Sequence, residues 1–230
     1  MALAVRRHCG FGCVICGASI VQYDHINPPF ADARAHDPLS IALLCAACHD
    51  KVTRKFWSHE KVAAALAHPH CKESGFSWGE FDFGNTPPSL QFGGVTLTNC
   101  PVPIAIGGKP LFKIEGPEER GGPFRLSGEF YDLRGRSVCA IDQNTWKLRS
   151  KAWDVEFVGG RMEVKSQNGP PSLVLVAEPP HSLRVERLNM FVKGRELIGD
   201  GSRLVVRRQY GGEMVLTGCA ADYCAVGINV

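Results

Sequence analysis

Two CxxC pairs separated by an Asp-His step are the residues of this chain best suited to chemistry. Cys13 and Cys16 form the first pair, and Cys45 and Cys48 form the second. Each pair can turn two sulfur atoms toward one ion, and two pairs complete the tetrahedron of a zinc site. Four thiolates leave no open coordination position, so the sequence predicts Zn²⁺ with a structural rather than a catalytic role.

Three further side chains near these pairs can serve a second metal. Asp24 and His25 lie in the segment that the zinc would close, and His49 directly follows Cys48. An Asp and a His can hold a divalent cation and still leave positions for phosphate oxygens. A neutral imidazole can take a proton from water near pH 7. The pattern predicts Asp24 and His49 as ligands of a catalytic Mg²⁺ or Mn²⁺, and His25 as the general base.

The order and spacing of these motifs resemble the HNH endonuclease family. The motifs are CxxC, Asp-His-Ile-x-Pro and Leu-Leu-Cys-x-x-Cys-His-x-Lys, within residues 9–56. The resemblance implies a ββα-metal fold and hydrolysis of DNA phosphodiester bonds. It gives Asp24, His25 and His49 the metal-binding and base roles already described. It adds Lys51, which would help to position phosphate or the helix.

One position departs from the family's pattern. The family usually places an Asn nine residues before the metal-binding histidine, where it braces the loop that carries the base. Ser40 stands at that position in this chain. A serine hydroxyl donates and accepts a hydrogen bond but has a shorter reach than an amide. Two alternatives follow: Ser40 is the loop brace and activity is lowered, or Asn27 braces the loop instead.

Basic side chains near the site are candidate phosphate contacts, because such contacts fix the register of DNA without reading its sequence. The net charge of +3 is too small to indicate a nucleic-acid binder by itself. An ordinary surface charge is the alternative for every candidate. In the first 70 residues the candidates are Arg6, Arg7, Arg34, Lys51, Arg54 and Lys55. In the C-terminal region they are Arg203 and Arg207, which would share the outer face of a strand whose Leu204 and Val206 point inward.

The elements that would position the metal site are helical in pattern. Residues 48–56 predict a helix with Val52 and Phe56 on one face. Ser58 predicts the N-cap of a second helix, which His68 and Pro69 end.

From residue 95 onward the pattern changes to short alternating runs separated by turns. This pattern predicts an all-β sandwich or barrel. The predicted strands are 102–106, 111–114, 124–131, 138–141, 153–158, 161–165, 172–177, 183–188, 203–208 and 214–217.

The fold class predicted for the whole chain is α+β. Residues 1–70 would form a zinc-stabilised HNH domain. Residues 71–94 are rich in Gly, Ser, Pro and aromatic side chains, and predict an ordered connecting arm. Residues 95–230 would form a β-domain that selects the DNA target or senses a trigger, as in a restriction or defence nuclease.

The remaining cysteines and the hydropathy bear on the compartment. A chain of 230 residues does not need a disulfide scaffold. Six cysteines outside the CxxC pairs are therefore predicted to be reduced, with Cys9 an alternative zinc ligand in place of Cys13. No apolar run reaches the roughly 20 residues that span a bilayer, and the N-terminal charges follow the apolar residues, the reverse of a secretory signal. We expect a cytoplasmic protein with no membrane partner. The six cysteines are Cys9, Cys71, Cys100, Cys139, Cys219 and Cys224.

The leading hypothesis is a metal-dependent HNH endonuclease whose partner is DNA. The alternative is a non-catalytic, zinc-stabilised DNA-binding or scaffold protein, for which Ser40 is the main support. A third hypothesis is that a ligand or protein bound to the β-domain activates the nuclease. A homodimer is a further partner hypothesis.

Overall fold

The computed structural model describes residues 1–26 and 37–230 and divides into two compact units. The first unit comprises residues 1–79 and 147–157, and the second comprises residues 80–146 and 158–230. The chain is mixed α and β with sheet predominating, and the described α-helices all lie within residues 1–79. Within the described ranges, no helix is both long enough and apolar enough to cross a membrane.

The N-terminal part of the first unit consists of short helices around a two-stranded antiparallel sheet. A 3₁₀ turn at Pro38–Ser40 leads into the second strand, and His25 pairs with Ile41 in the ladder. The elements are α1 (Ala2–Cys9), β1 (Gln22–His25), β2 (Ile41–Leu44), α2 (Ala46–Thr53), α3 (His59–Ala67) and α4 (His70–Ser74).

The core of this unit is built on β2, in which all four residues are buried. Val5 and Cys9 of α1 and Val62 and Leu66 of α3 belong to the same buried cluster. Full burial of one such aliphatic side chain stabilises by about 1.5–3 kcal/mol. Burial of β2 therefore fixes the position of this strand. Its N-terminal end follows the 3₁₀ turn, and its C-terminal end leads directly to Cys45.

The helix predicted over residues 48–56 is shifted toward the N-terminus. α2 ends at Thr53, and Lys55 then adopts a left-handed backbone conformation with φ of 63°. Val52 is buried, but Phe56 is 81% exposed. The prediction that Val52 and Phe56 share a buried face is wrong, because the chain leaves the helix before Phe56. The predicted cap of α3 is confirmed, since Ser58 Oγ accepts a hydrogen bond from the Lys61 N–H.

α1 was not predicted from the sequence. Its C-terminus is closed by Gly10, whose backbone is left-handed with φ of 76°, as is common for glycine at this position. A Cβ atom at Gly10 would also lie 3.0 Å from the Cβ atom of Cys71. Arg6 and Arg7 fall in the last turn, where positive charge interacts favourably with the helix dipole.

From residue 76 onward the described elements are strands. The first of them are β3 (Phe76–Glu80), β4 (Ser89–Phe92), β5 (Val95–Thr98), β6 (Val102–Ile106), β7 (Lys109–Pro110), β8 (Phe112–Glu115), β9 (Arg125–Tyr131), β10 (Ser137–Asp142) and β11 (Thr145–Arg149). The rest are β12 (Asp154–Val158), β13 (Arg161–Lys165), β14 (Leu173–Glu178), β15 (Ser182–Val192), β16 (Arg195–Gly199), β17 (Arg203–Arg208), β18 (Gly211–Thr217), β19 (Cys219–Asp222) and β20 (Val226–Asn229).

The second unit contains a long antiparallel run from β13 to β18, in which each strand pairs with the next. β4 joins this sheet by pairing in parallel with β15, and β5 then pairs with both β4 and β19. β20 pairs in parallel with β6. Parallel strands need long connections, so the parallel pairs β4 with β15, β5 with β19 and β6 with β20 bring together segments that are far apart in the sequence.

Antiparallel pairing of β8 with β9 requires a glycine at one point. Gly128 lies opposite Phe112, and a Cβ atom at Gly128 would lie 2.1 Å from Cδ1 of that ring. The Phe112 ring stacks at centroid distances of 5.0 Å from Phe92 and 4.9 Å from Phe130, in tilted geometry. Because Gly128 has no side chain, the Phe112 ring has space to pack with Phe92 and Phe130 in the core.

Several predicted strands have the observed bounds, namely 102–106, 161–165 and 203–208. β15 continues four residues beyond the predicted end at 188, because β16 pairs with its second half. Eight strands from β3 onward were not predicted from the sequence, and the parallel partners of three of them, β4, β19 and β20, are distant in sequence. The missed strands are β3, β4, β5, β7, β11, β16, β19 and β20.

Residues 71–94, predicted to be an ordered connecting arm, carry regular secondary structure. They include α4, β3 and β4. Phe81 and Phe83 are buried in the second unit with ring centroids 6.0 Å apart, and Phe81 lies 4.5 Å from Trp146. The aromatic residues of this segment therefore belong to a packed core.

Cys100 and Cys224 form a disulfide that closes a sequence separation of 124 residues. The prediction that both are reduced thiols is wrong. The pairing follows from the tertiary fold, because the parallel pairing of β5 with β19 places the ends of those two strands side by side. Cys9, Cys71, Cys139 and Cys219 are free thiols, as expected.

Candidate functional site

The four cysteines of the CxxC pairs converge on one point of the first unit. Their Sγ atoms all lie within 4.8 Å of one another, with Cys16 at 3.6 Å from Cys45 and 3.8 Å from Cys48. A tetrahedron with Zn–S bonds of 2.3 Å has S–S edges of about 3.8 Å. The predicted four-cysteine cluster is confirmed, and its dimensions are consistent with a structural zinc.

A tight turn builds the first pair. The Gly17 N–H donates to the Cys13 carbonyl at 2.9 Å, and the Cys13 N–H donates to the Ala18 carbonyl at 2.8 Å. Gly17 has a φ of 81°, and a Cβ atom there would lie 2.7 Å from Cδ2 of His70. Both the left-handed backbone and the close approach of His70 therefore require glycine after the second cysteine.

The second pair is placed by a strand and a helix. Cys45 is the N-cap of α2 and Cys48 lies in its first turn, so β2 and α2 together set their separation. The Val14 N–H donates to the Leu43 carbonyl at 2.9 Å, which joins the first turn to β2. The two halves of the cluster are thus connected through the buried strand.

The protonation of these thiols depends on their surroundings. Burial raises the pKa of Cys16 to about 11, and burial together with the charge of Cys13 raises the pKa of Cys48. At Cys45 burial is outweighed by the backbone N–H of Cys48 and by neighbouring thiols, so the pKa is lowered. A metal that binds thiolates must displace these protons, and its affinity therefore falls as the pH is lowered.

Trp78 supports the first pair, although no sequence motif indicated this role. Its indole Nε1 donates to the Cys16 carbonyl at 2.9 Å, and its backbone N–H donates to the Gly17 carbonyl at 3.0 Å. The Ser19 N–H returns a bond of 2.7 Å to the Trp78 carbonyl. The only sequence indication was an aromatic residue in a Gly-rich and Ser-rich junction.

Cys9 does not take part in the cluster. Its buried thiol lies 3.9 Å from the Ile41 carbonyl, and burial raises its pKa to about 11. Cys71 is also buried, 3.8 Å from the Cys13 carbonyl, and burial raises its pKa to about 12. Both remain protonated at neutral pH, as expected for core thiols.

Asp24 and His49 face each other next to this cluster. Their closest polar atoms, Asp24 Oδ1 and His49 Nε2, are 3.7 Å apart, and their side chains are 15% and 33% exposed. The second carboxylate oxygen, Asp24 Oδ2, is buried and has no hydrogen-bond partner in the described part of the chain. On the other side of the ring, His49 Nδ1 lies 3.5 Å from Thr53 Oγ1, one helical turn away.

His25 follows Asp24 on β1, and successive strand residues face opposite sides. His25 is half-buried at the end of the ladder. The next residue is tied to the 3₁₀ turn, because the Ile26 N–H donates to the Ser40 carbonyl at 2.9 Å. Ser40 thus contacts the segment after His25 through its backbone. Asn27, the alternative brace, lies outside the described residues.

Two of the candidate phosphate contacts are bound within the first unit. Arg6 makes a bidentate pair with Asp154 at 2.8 Å for each bond and also donates to Tyr23 Oη at 3.1 Å. Against burial, Asp154 and Tyr23 hold the pKa of Arg6 above its ordinary value. Arg7 donates to the Trp153 carbonyl at 2.8 Å and stacks on that indole at 4.2 Å.

Three other candidates in the first unit, Lys51, Arg54 and Lys55, lie on or just after α2. Lys51 Nζ lies 4.5 Å from the Trp57 ring centroid, and Arg54 pairs with Asp50 at 2.9 Å on the surface. Lys55 is exposed. Arg34 falls outside the described residues.

The two candidates in the second unit are exposed and ion-paired. Arg203 Nε lies 2.9 Å from Asp200 Oδ2. Arg207 Nε lies 2.5 Å from Glu213 Oε2, and its guanidinium is 3.6 Å from Glu196. Local carboxylates therefore offset the positive charge of these two side chains.

Comparisons with protein-family models, with curated proteins and with solved structures give no match to this chain.

Proposed function

We propose that the first unit is a metal-dependent endonuclease of the HNH type that hydrolyses DNA phosphodiester bonds. The observation that carries the proposal is the pair Asp24 and His49, 3.7 Å apart beside a four-cysteine cluster. The strand–strand–helix order β1, β2, α2 supports a ββα-metal arrangement. On this proposal the four thiols hold a structural zinc, because a four-thiolate site leaves no open position.

The residues present fit a divalent cation between Asp24 and His49. Asp24 Oδ2 is a buried carboxylate oxygen without a donor among the described residues, and such an atom is costly unless something compensates it. One carboxylate and one imidazole are donors that Mg²⁺ and Mn²⁺ accept, and they occupy few of the positions of such an ion. A bound cation would stabilise charge on a phosphate oxygen and on the leaving oxygen.

His25 is the proposed general base. His25 directly follows Asp24 on β1, so the base and the metal-binding carboxylate could lie on different sides of one reacting centre. A neutral imidazole nitrogen takes a proton from the attacking water near pH 7. Pairing of His25 with Ile41 and the Ile26–Ser40 hydrogen bond restrict the movement of the backbone around this ring.

The second candidate is a zinc-stabilised DNA-binding or scaffold protein without catalysis. It is favoured by Ser40, which contacts the segment after His25 through its backbone at the position where the family usually uses an Asn side chain. The two candidates share the zinc cluster and differ in whether DNA is cut.

A plasmid-cleavage assay separates them. Wild-type protein with Mg²⁺ or Mn²⁺ is expected to cut supercoiled DNA, and His25→Ala is expected to reduce the rate by about 10²–10⁴-fold. His59→Ala is the matched control, because His59 is exposed at the start of α3. Zinc content and circular dichroism establish that the variants are folded.

Cleavage by His25→Ala at the wild-type rate would remove the proposed base. Absence of cleavage by wild type with either metal, together with salt-sensitive DNA binding that survives both Asp24→Ala and His25→Ala, would establish the non-catalytic candidate instead. Selection of the DNA target by residues 95–230, activation through that region and homodimer formation stay predictions.

A further inference from the structure

The second unit contains a pocket of about 340 Å³. It lies where the turn after β9 meets the loop before β14, the middle of β15 and the end of β16. Its volume is that of a site for a small molecule rather than for a duplex.

The positive charge of this pocket is not locally neutralised. Arg134 and Arg187 both line it and are exposed. Neither guanidinium has a carboxylate partner among the residues that the structure describes. This distinguishes them from Arg203 and Arg207, which are ion-paired on the same unit.

The two carboxylates that line the pocket are already engaged. Asp132 accepts from the Arg136 guanidinium at 2.7 Å and from two backbone N–H groups at 2.9 Å. Asp200 accepts from Arg203 at 2.9 Å and from the Ser202 hydroxyl at 2.8 Å. The acidic groups are thus satisfied, and the two free guanidinium groups leave a net capacity for an anion.

Other parts of the lining are apolar or accept hydrogen bonds. Leu133 is 52% exposed, and it lines the pocket together with Pro170 and Pro171. Asn189 also lines the pocket, and its Oδ1 is buried with no donor within the described ranges. If the Asn189 amide rotated toward the pocket, Oδ1 would lose no hydrogen bond. The same oxygen could then accept a hydrogen bond from a ligand.

We propose that this pocket binds a phosphorylated small molecule of mononucleotide size. Arg134 and Arg187 would bind the phosphate, because guanidinium groups recognise phosphate oxygens through paired N–H donors. Leu133 and the two prolines would pack against a planar ring, and Asn189 would accept from an N–H or O–H of the ligand. The inference concerns the second unit alone and does not depend on the proposed nuclease activity.

Isothermal titration calorimetry on the full chain tests the proposal, with AMP, GMP, CMP and UMP as probes at one fixed ionic strength. At least one of them is expected to bind with 1:1 stoichiometry. Arg134→Gln and Arg187→Gln are each expected to weaken binding about tenfold, the loss expected for one charge-assisted contact. The matched control is Arg208→Gln, because Arg208 is exposed on β17 outside the pocket.

Inorganic phosphate, adenosine and a short single-stranded DNA serve as competing probes. The proposal is overturned by absence of mononucleotide binding, by equal affinity for adenosine and AMP, or by equal affinity for inorganic phosphate and the mononucleotides. It is also overturned if only the DNA binds, since the pocket would then belong to a nucleic-acid surface. Equal affinities of wild type, Arg134→Gln and Arg187→Gln would place the binding site elsewhere. Thermal unfolding checks that the variants remain folded, and these exposed substitutions are not expected to shift it.

Discussion

Asp154→Asn is expected to destabilise the first unit far more than Glu156→Gln, although both carboxylates contact the guanidinium of Arg6. Each lies 2.8 Å from an Arg6 nitrogen. Their exposures differ, because the side chain of Asp154 is 4% exposed and that of Glu156 is 38% exposed, against 14% for Arg6. Equal distance and unequal burial make the two substitutions a matched pair.

The expected magnitudes follow from this difference in burial. Removing one partner of a buried pair costs about 3–5 kcal/mol, because the remaining charge stays buried without compensation. Arg6 would keep Glu156 and the Tyr23 hydroxyl, which favours the lower end, about 3 kcal/mol. The exposed partner contributes about 0–1 kcal/mol. With a urea m value of about 2 kcal/mol per molar, the midpoint falls by about 1.5 M for Asp154→Asn and by less than about 0.5 M for Glu156→Gln.

Urea unfolding followed by tryptophan fluorescence measures both midpoints, since Trp57, Trp78 and Trp153 all belong to the first unit. Midpoint shifts of equal size, or a shift below about 0.5 M for Asp154→Asn, would refute the reasoning from burial. Arg6→Gln adds a second test. If Arg6 were a phosphate contact, this variant would reduce the salt slope of DNA binding by about 1 and leave stability unchanged.

Three further predictions concern the second unit. Gly128→Ala should lower the free energy of unfolding by about 1–3 kcal/mol or more, because the new methyl group would overlap the Phe112 ring; circular dichroism during urea unfolding measures it. Cys224→Ser should lower the free energy of unfolding by about 2–5 kcal/mol, because it removes the disulfide between Cys100 and Cys224. Differential scanning calorimetry under non-reducing conditions checks this. Burial would raise the pKa of Asp132, but the backbone N–H and the guanidinium of Arg136 hold it below its ordinary value. The ionised carboxylate therefore stabilises the folded state fully above about pH 4, and this stabilisation is lost as the pH falls through the folded-state pKa. Asp132→Asn should therefore be less stable at pH 7 and should lose less stability than wild type on acidification below about pH 4, as urea midpoints across that window would show.

The four-cysteine cluster was predictable because its information is local. A CxxC pair places its two thiols within one turn. Only one long-range contact was therefore needed to bring the pair Cys13 and Cys16 together with the pair Cys45 and Cys48. The proximity of Asp24 and His49 was expected in the same way, from motif order. The support that Trp78 gives to the first pair was not, because an indole hydrogen bond to a carbonyl 62 residues away leaves no local pattern.

Burial and pairing could be anticipated only where side chains alternate clearly. The bounds of β13 followed from such alternation, whereas β17 buries three consecutive residues, Leu204, Val205 and Val206. The roles of Arg6 and Arg7 did not follow from alternation, because the sequence shows two adjacent cations and not the segment at 153–154 that binds them. The disulfide was also beyond local reasoning, since only the parallel pairing of β5 with β19 brings its two halves together.

The first unit is discontinuous in the chain, since residues 147–157 belong to it together with residues 1–79. During synthesis at about 5–20 residues per second, the ribosome makes residue 157 about 4–16 s after residue 79. Throughout that interval Arg6 and Arg7 exist without Asp154 and Trp153, which bind them in the finished protein. The segment that carries the four-cysteine cluster is therefore translated early, and its unit is completed late, after the part of the second unit at residues 80–146 has been made.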